Sequence, residues 1–130
     1  MIRYEENKTI SAVELAEVFI QSGIRRPVED IPRLQKMLDQ ADMIITAWDG
    51  DKLVGIARAI TDFSYCCYLS DLAVNKNYQK TGIGRELVYR VHKKLGEEVS
   101  LILLASPIAM EYYPKIGFTK IENGYIIPRK

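Results

Sequence analysis

From Asp71 to Leu87 the chain reads Asp-Leu-Ala-Val-Asn-Lys-Asn-Tyr-Gln-Lys-Thr-Gly-Ile-Gly-Arg-Glu-Leu, a β-rich stretch that passes into a helical pattern through a turn marked by Gly82 and Gly84. This segment constrains the fold more than any other. It demands a strand that runs directly into a helix, with a loop between them too short to wander. Glycines at these positions let backbone approach a ligand with no Cβ in the way, and the first turn of the following helix offers unpaired N–H groups and a positive dipole end to an anion. A phosphorylated ligand is therefore the first expectation.

Composition limits that expectation. The 130 residues, 48% hydrophobic and 27% charged, fit one globular domain spanning 1–130, within the usual range of ~100 to 200 residues per domain. A chain of this size buries roughly two thirds of its unfolded surface, enough for a core and one shaped site. Eighteen basic side chains against 17 acidic ones leave a formal net charge of +1. No global field draws the chain to nucleic acid or to a membrane, so anion binding must be local.

The two cysteines, Cys66 and Cys67, are adjacent. Strand neighbours point to opposite faces, so the pair suits neither a mutual disulfide nor a shared metal, and both are expected to be reduced; no metal site is expected. No apolar run approaches the ~20 residues of a membrane helix, and Met1 to Glu6 lacks the pattern of a secretory signal. A cytoplasmic location is the expectation.

Ile2 to Tyr4 suggests a first strand. Ser11 and Glu14 form a capping box before a helix with Ala12, Leu15, Ala16, Phe19 and Ile20 inward, ended by Gly23. Arg25-Arg26-Pro27 leads to a second helix start at Asp30-Ile31-Pro32, with Leu34, Met37, Leu38 and Ala41 on its apolar side. Met43 to Trp48 and Lys52 to Ile60 read as a hairpin about Asp49-Gly50-Asp51, and Tyr65 to Val74 as the next strand. After the glycines, Ile83, Leu87, Val88, Val91 and Leu95 face in, while Arg85, Glu86, Arg90, Lys93 and Lys94 face out. Ser100 to Ala105 reads as a strand covered on both faces, Ala109 to Lys115 as a short helix, and the tail as two strands split by Asn123-Gly124. The order predicts a mixed α/β or α+β fold.

The Gln-x-x-Gly-x-Gly of Gln79 to Gly84, behind Asp71-Leu72-Ala73-Val74 and ahead of a helix, resembles the acetyl-coenzyme A motif of the GCN5-related N-acetyltransferases (GNAT). Ala109 to Phe118 is similar to the family's later motif, in which an aromatic pair ending in tyrosine precedes Gly-Phe, and Val54-Gly55 fits a weaker family habit. Short glycine patterns recur by chance. Two motifs in the right order, with the right helix and strand between, do so far less often. The resemblance is good from Leu53 to Phe118; the N-terminal third, where the family varies with substrate, agrees only in the order of its elements.

The resemblance implies a mostly antiparallel central sheet of six to seven strands flanked by about four helices. It also implies acetyl-CoA as co-substrate, an amine of a small molecule or peptide as acceptor, direct transfer in a ternary complex, and a possible homodimer. Backbone N–H groups of Gln79, Lys80, Thr81, Gly82, Ile83, Gly84 and Arg85 would take the pyrophosphate. Backbone groups of Leu72, Ala73 and Val74 would bind the pantetheine arm.

Transfer to an amine, with a free pKa of about 10.4, requires its deprotonation, and a departing thiolate, parent pKa about 8.5, benefits from an acid. Tyr113 matches the family tyrosine that donates to the thiolate. Asp71 is the candidate base, with Glu111, Asp62 and a water chain as alternatives. Ser106 stands seven residues before Tyr113, where the family often has asparagine; its hydroxyl is a candidate contact to the pantetheine arm, although Pro107 follows. Each of these has a plainer role open to it: Leu72 and Val74 as core, Tyr113 as a packed aromatic, Asp71 as a salt-bridge partner, Lys80 and Arg85 as solvated charges. His92 falls on the basic helix face and is expected to be uninvolved. Arg25 and Arg26 hint at an anionic group on the acceptor.

Two other classes compete. A non-catalytic acyl-CoA-binding or sensor domain would keep the glycine loop without needing Tyr113. A Rossmann nucleotide-binding domain would place the loop after its first strand rather than its third or fourth.

Overall fold

The computed structural model describes all 130 residues. Five strands, β1 (Ile2–Glu6), β2 (Met43–Asp49), β3 (Lys52–Thr61), β4 (Cys66–Val74) and β5 (Ser100–Ile102), form one sheet in the order β1-β2-β3-β4-β5. The first four pair antiparallel, and β5 joins β4 in parallel. Four helices, α1 (Ala12–Ser22), α2 (Ile31–Gln40), α3 (Ile83–Leu95) and α4 (Tyr112–Lys115), complete it, with 3-10 turns at Lys76–Tyr78 and Pro107–Ala109.

Local chemistry sets the helix ends as the sequence predicts. Ser11 Oγ accepts from the Glu14 N–H while Glu14 accepts from the Ser11 N–H, a reciprocal capping box, and Gly23 closes α1 in the left-handed region. Asp30 caps α2 by accepting from the Arg33 N–H.

The sheet is covered on both sides. Ile83, Leu87, Val88, Val91 and Leu95 of α3 are all buried, against Met43, Ile45, Ala57, Ala59, Cys67 and Leu69. On the opposite face α1 and α2 pack Leu15, Phe19, Leu34 and Leu38 against Trp48, Ile56 and Ala73. Val18, rather than the expected Ile20, is the buried residue near the end of α1; Ile20 stays exposed. At Gly55 β3 lies close against α3: a Cβ there would lie 3.2 Å from both Ile83 and Leu87.

One irregularity in β4 matters for everything that follows. Arg58 pairs with Asp71 but Ala59 pairs with Leu69, which leaves Ser70 as an extra residue, a β-bulge. Strict alternation would put Asp71 on the face of Cys67 and Leu69. With the bulge, Cys67 and Leu69 face α3 while Asp71 and Ala73 face α1 and α2.

The expected six to seven strands are five, because neither tail strand forms and β5 stops at Ile102 instead of Ala105. After Phe118 the chain has no helix or strand, and Tyr125 and Ile127 are almost wholly exposed. β-propensity alone does not hold a two-stranded hairpin together, and the residues about Asn123-Gly124 pair with no strand of the sheet. No helix is long and apolar enough to cross a membrane.

Candidate active site

The site begins where two strands part. β4 pairs with β5 only over Cys66–Tyr68, opposite Ser100–Ile102, so the edge of β4 from Leu69 to Val74 that faces β5 carries no strand. Bulges bend the strand that holds them, and Ser70 lies just beyond the last paired residue. Leu72, Ala73 and Val74 line this wedge, with Ala73 buried and the other two half-buried.

The connection from β4 to α3 is braced at several points. The buried Asn75 donates its N–H to the Val54 carbonyl and accepts from the Asn77 N–H through its side chain, opening the 3-10 turn. Gln79 donates its side-chain amide to the Val74 carbonyl at 2.9 Å, tying the loop to the end of β4. Thr81 donates its hydroxyl to the Tyr78 carbonyl, and the Tyr78 hydroxyl donates to Asp49. So the side chains of Gln79 and Thr81 hold the loop, and its backbone is what they shape.

Lys80 and Gly82 both have positive φ, 66° and 92°. The two glycines differ in purpose. A Cβ on Gly82 would meet nothing within 4 Å, so its backbone conformation is what requires glycine, whereas a Cβ on Gly84 would sit 2.9 Å from the Tyr112 hydroxyl. Gly82 is the N-cap of α3 and supplies no side-chain cap, and the first intrahelical bond runs from the Glu86 N–H to the Gly82 carbonyl. The N–H groups of Ile83, Gly84 and Arg85 thus begin the helix without an acceptor inside it, which favours an anion at that end. Lys80 and Arg85 are exposed beside them.

Tyr113, the second residue of α4, is half-buried, its ring edge-on to Tyr112 at 5.3 Å and to Phe118 at 5.5 Å between centroids. The Tyr113 carbonyl accepts from the Ile116 and Phe118 N–H groups, which fixes the turn into Gly117. Burial pushes the Tyr113 phenol above its ordinary value of 10.0, and Tyr112 adds to this while Arg26 opposes it. Such a group keeps its proton at neutral pH. Ser106 is exposed at the start of the second 3-10 turn, where its carbonyl accepts from Ala109 N–H and its hydroxyl makes no capping bond.

Asp71 has company that periodicity did not announce. Its side chain is 0% exposed; one oxygen accepts from Arg26 Nε at 2.5 Å and the other from Arg58 Nε. Arg26 donates further to the Ser70 carbonyl at 2.8 Å, and Arg58 to the Ser70 hydroxyl at 3.0 Å and the Met37 carbonyl at 3.5 Å. Both oxygens of Asp71 are occupied by guanidinium groups, so this carboxylate has no free face toward the wedge. The signal for Arg58 was present as a lone charge inside the apolar run Val54 to Ile60. A buried charge requires a partner, and the neighbouring strand holds one.

Of the alternatives for a base, Asp62 is exposed in the β3–β4 turn, accepting from the Ser64, Tyr65 and Cys66 N–H groups, and Glu111 is exposed before α4. His92 is exposed near the end of α3. Cys66 is exposed and Cys67 buried, and burial pushes the Cys67 thiol up, away from thiolate chemistry. No group of His, Cys, Asp and Glu is arranged to hold a metal ion.

The comparisons agree with this geometry. The family model described as acetyltransferase (GNAT) domain matches residues 6–126. An uncharacterized N-acetyltransferase, ycf52, of Pyropia yezoensis is 29% identical over 127 residues, covering 95% of this chain and 73% of that protein. A probable acetyltransferase of methicillin-resistant Staphylococcus aureus superposes over 100% of both chains with a TM-score of 0.85 at 25% identity. An aminoglycoside acetyltransferase from an uncultured soil sample, solved with trehalose, reaches a TM-score of 0.70 over 99% of this chain and 95% of its own at 22% identity, a likeness of fold alone. With its parted strands, glycine loop and late tyrosine motif inside one matched region, the chain belongs to the GNAT acetyltransferase family.

Proposed function

We propose that residues 1–130 form one domain that transfers an acetyl group from acetyl-CoA to a primary amine, directly, within a ternary complex. The observation that carries this reading is the parting of β4 from β5, which leaves a free edge of β4 that ends at Val74 beside Gly84 in the first turn of α3. An extended amide-containing arm fits the free edge at Leu72, Ala73 and Val74, and a pyrophosphate fits the loop and first helical turn from Gln79 to Arg85. Lys80 and Arg85 add charge at its rim, and Ser106 borders the arm from the chain that follows β5.

In this reading Tyr113 is the acid. Its phenol, kept protonated by burial, gives its proton to the coenzyme A sulfur as the C–S bond of the tetrahedral intermediate breaks. The amine adds to the thioester carbonyl and loses its own proton to water rather than to Asp71, whose oxygens are both engaged. The alternative, a binding module without chemistry, would use Tyr113 only as an aromatic packed on Tyr112 and Phe118.

Isothermal titration with acetyl-CoA and a thiol-release assay across glycine, spermidine, tobramycin and a lysyl peptide test the proposal. Binding with thiol release that Tyr113→Phe abolishes supports it. Tight binding with no release for any amine would favour the binding module, and failure to bind acetyl-CoA would overturn both.

A further inference from the structure

The sequence connecting α1 to α2 contains Arg25-Arg26-Pro27, and only one of these arginines is committed to the fold. Arg25 is exposed and its side chain makes no hydrogen bond or ion pair. Arg26 is drawn inward: its Nε donates to Asp71, one terminal nitrogen donates to the Ser70 carbonyl, and the other donates back to the Arg25 carbonyl at 2.6 Å. Its guanidinium also lies 6.0 Å from the Phe19 ring at the end of α1. Three attachments to β4 and to its own loop give this side chain one position.

Asp71 and Arg58 make that position possible. Arg58 is the cross-strand partner of Asp71, only 9% exposed in its side chain, and reaches the carbonyl of Met37 on α2. A carboxylate buried between two guanidiniums is satisfied in both oxygens, and the Ser70 bulge supplies each guanidinium with one further acceptor, its carbonyl to Arg26 and its hydroxyl to Arg58. The cluster therefore joins four pieces: the α1–α2 loop, α2, β3 through Arg58, and β4 at the bulge just past its last pair with β5.

We infer that Asp71 is a positioning residue that acts through Arg26, holding the α1–α2 loop against the bulge at the mouth of the β4–β5 wedge so that this loop forms a fixed wall on the acceptor side of the site. The inference rests on the acetyltransferase reading for the word acceptor, but the anchoring itself does not. Arg26 gives the loop its one ion pair to the sheet, alongside the part-buried packing of Ile24 and Val28 against the core beneath α1 and α2. Burial raises the Tyr113 phenol, and the Arg26 charge works against that rise.

The test uses the full chain with Arg26→Ala, Arg26→Lys and Asp71→Asn. Because Asp71→Asn leaves the buried Arg58 and the half-buried Arg26 without a carboxylate and so tests folding as much as positioning, Arg26→Ala, which keeps Asp71 paired with Arg58, carries the argument. Hydrogen exchange of the amides from 24 to 30 is expected to accelerate at least tenfold in Arg26→Ala, with the amides of β4 and α3 unchanged and acetyl-CoA affinity within about twofold of wild type. Arg26→Lys, which cannot reach Asp71 and the Ser70 carbonyl together, should not restore protection. Unchanged exchange in this loop would overturn the inference. On any amine of the panel that the wild type acetylates, Arg26→Ala should raise the acceptor KM more than it lowers kcat, and any folded Asp71→Asn should keep the acid limb of the pH–rate profile; loss of that limb would identify Asp71 as the base and sink the positioning role. Failure of the wild type to bind acetyl-CoA would remove the acetyltransferase reading while leaving the exchange result to decide the anchoring.

Discussion

The hydroxyl of Tyr112 lies 2.9 Å from where a Cβ on Gly84 would stand, so the later aromatic motif and the glycine loop meet in space at the N-terminus of α3. The two sequence signatures are two sides of one surface. This contact also separates the tasks of two glycines only two residues apart.

Gly82 and Gly84 should fail differently. Gly82→Ala meets no atom but forces an L-residue into φ of 92°, which costs on the order of 1–3 kcal/mol of stability. Gly84→Val fills the space beside Tyr112 and the first helical turn, and should weaken acetyl-CoA binding at least tenfold with a nearly native melting temperature. Thermal denaturation and isothermal titration on the two variants check the contrast; a Gly84→Val that binds normally would contradict it.

Tyr113→Phe is expected to lower kcat by roughly 10² to 10⁴, the usual contribution of a positioned acid, without changing acetyl-CoA affinity. The phenol titrates above 10.0 because it is buried. Its loss of a proton therefore cannot produce an alkaline fall in kcat at lower pH. An alkaline limb between pH 7 and 9 that disappears in Tyr113→Phe would contradict this assignment.

Asp62 gives a pH signature of its own. The N–H groups of Tyr65, Ser64 and Cys66 hold its carboxyl below the ordinary value of 3.8. A depressed carboxyl contributes stability that is fully present above its unfolded value and is lost as pH falls through the folded one. Asp62→Ala should thus melt below wild type at pH 7, and the gap should narrow as pH falls below the ordinary carboxyl range. Melting curves across that range decide the matter.

Leu87 is completely buried and packs against the bare face of Gly55. Truncation to Leu87→Ala opens a cavity where α3 packs on Gly55 and should cost about 2–5 kcal/mol, measured by urea denaturation.

Much of this architecture was legible because it is local. The five inward residues of α3, the capping box at Ser11 and Glu14, the Asp30 cap and the Asp49-Gly50-Asp51 hairpin each depend on spacings of a few residues, and all appear as the sequence predicts. The Asp71 cluster was not legible, since Arg58 and Arg26 come from 13 and 45 residues away and a bulge decides which face Asp71 takes. Period-two reasoning has no means of seeing an inserted residue. The tail failed for the opposite reason: Asn123-Gly124 is a good local turn signal, but a strand is only as stable as the edge it finds.

The bulge at Ser70 has an implication for how such a sheet tolerates change. Removing that one residue would leave the inward and outward pattern of β4 intact, with Leu69, Asp71 and Leu72 still directed to their present layers. The strand would straighten, and its natural continuation would be alongside β5. A deletion at Ser70 would thus yield a more regular sheet and a narrower cleft, so regularity and usefulness pull in opposite directions at this single position.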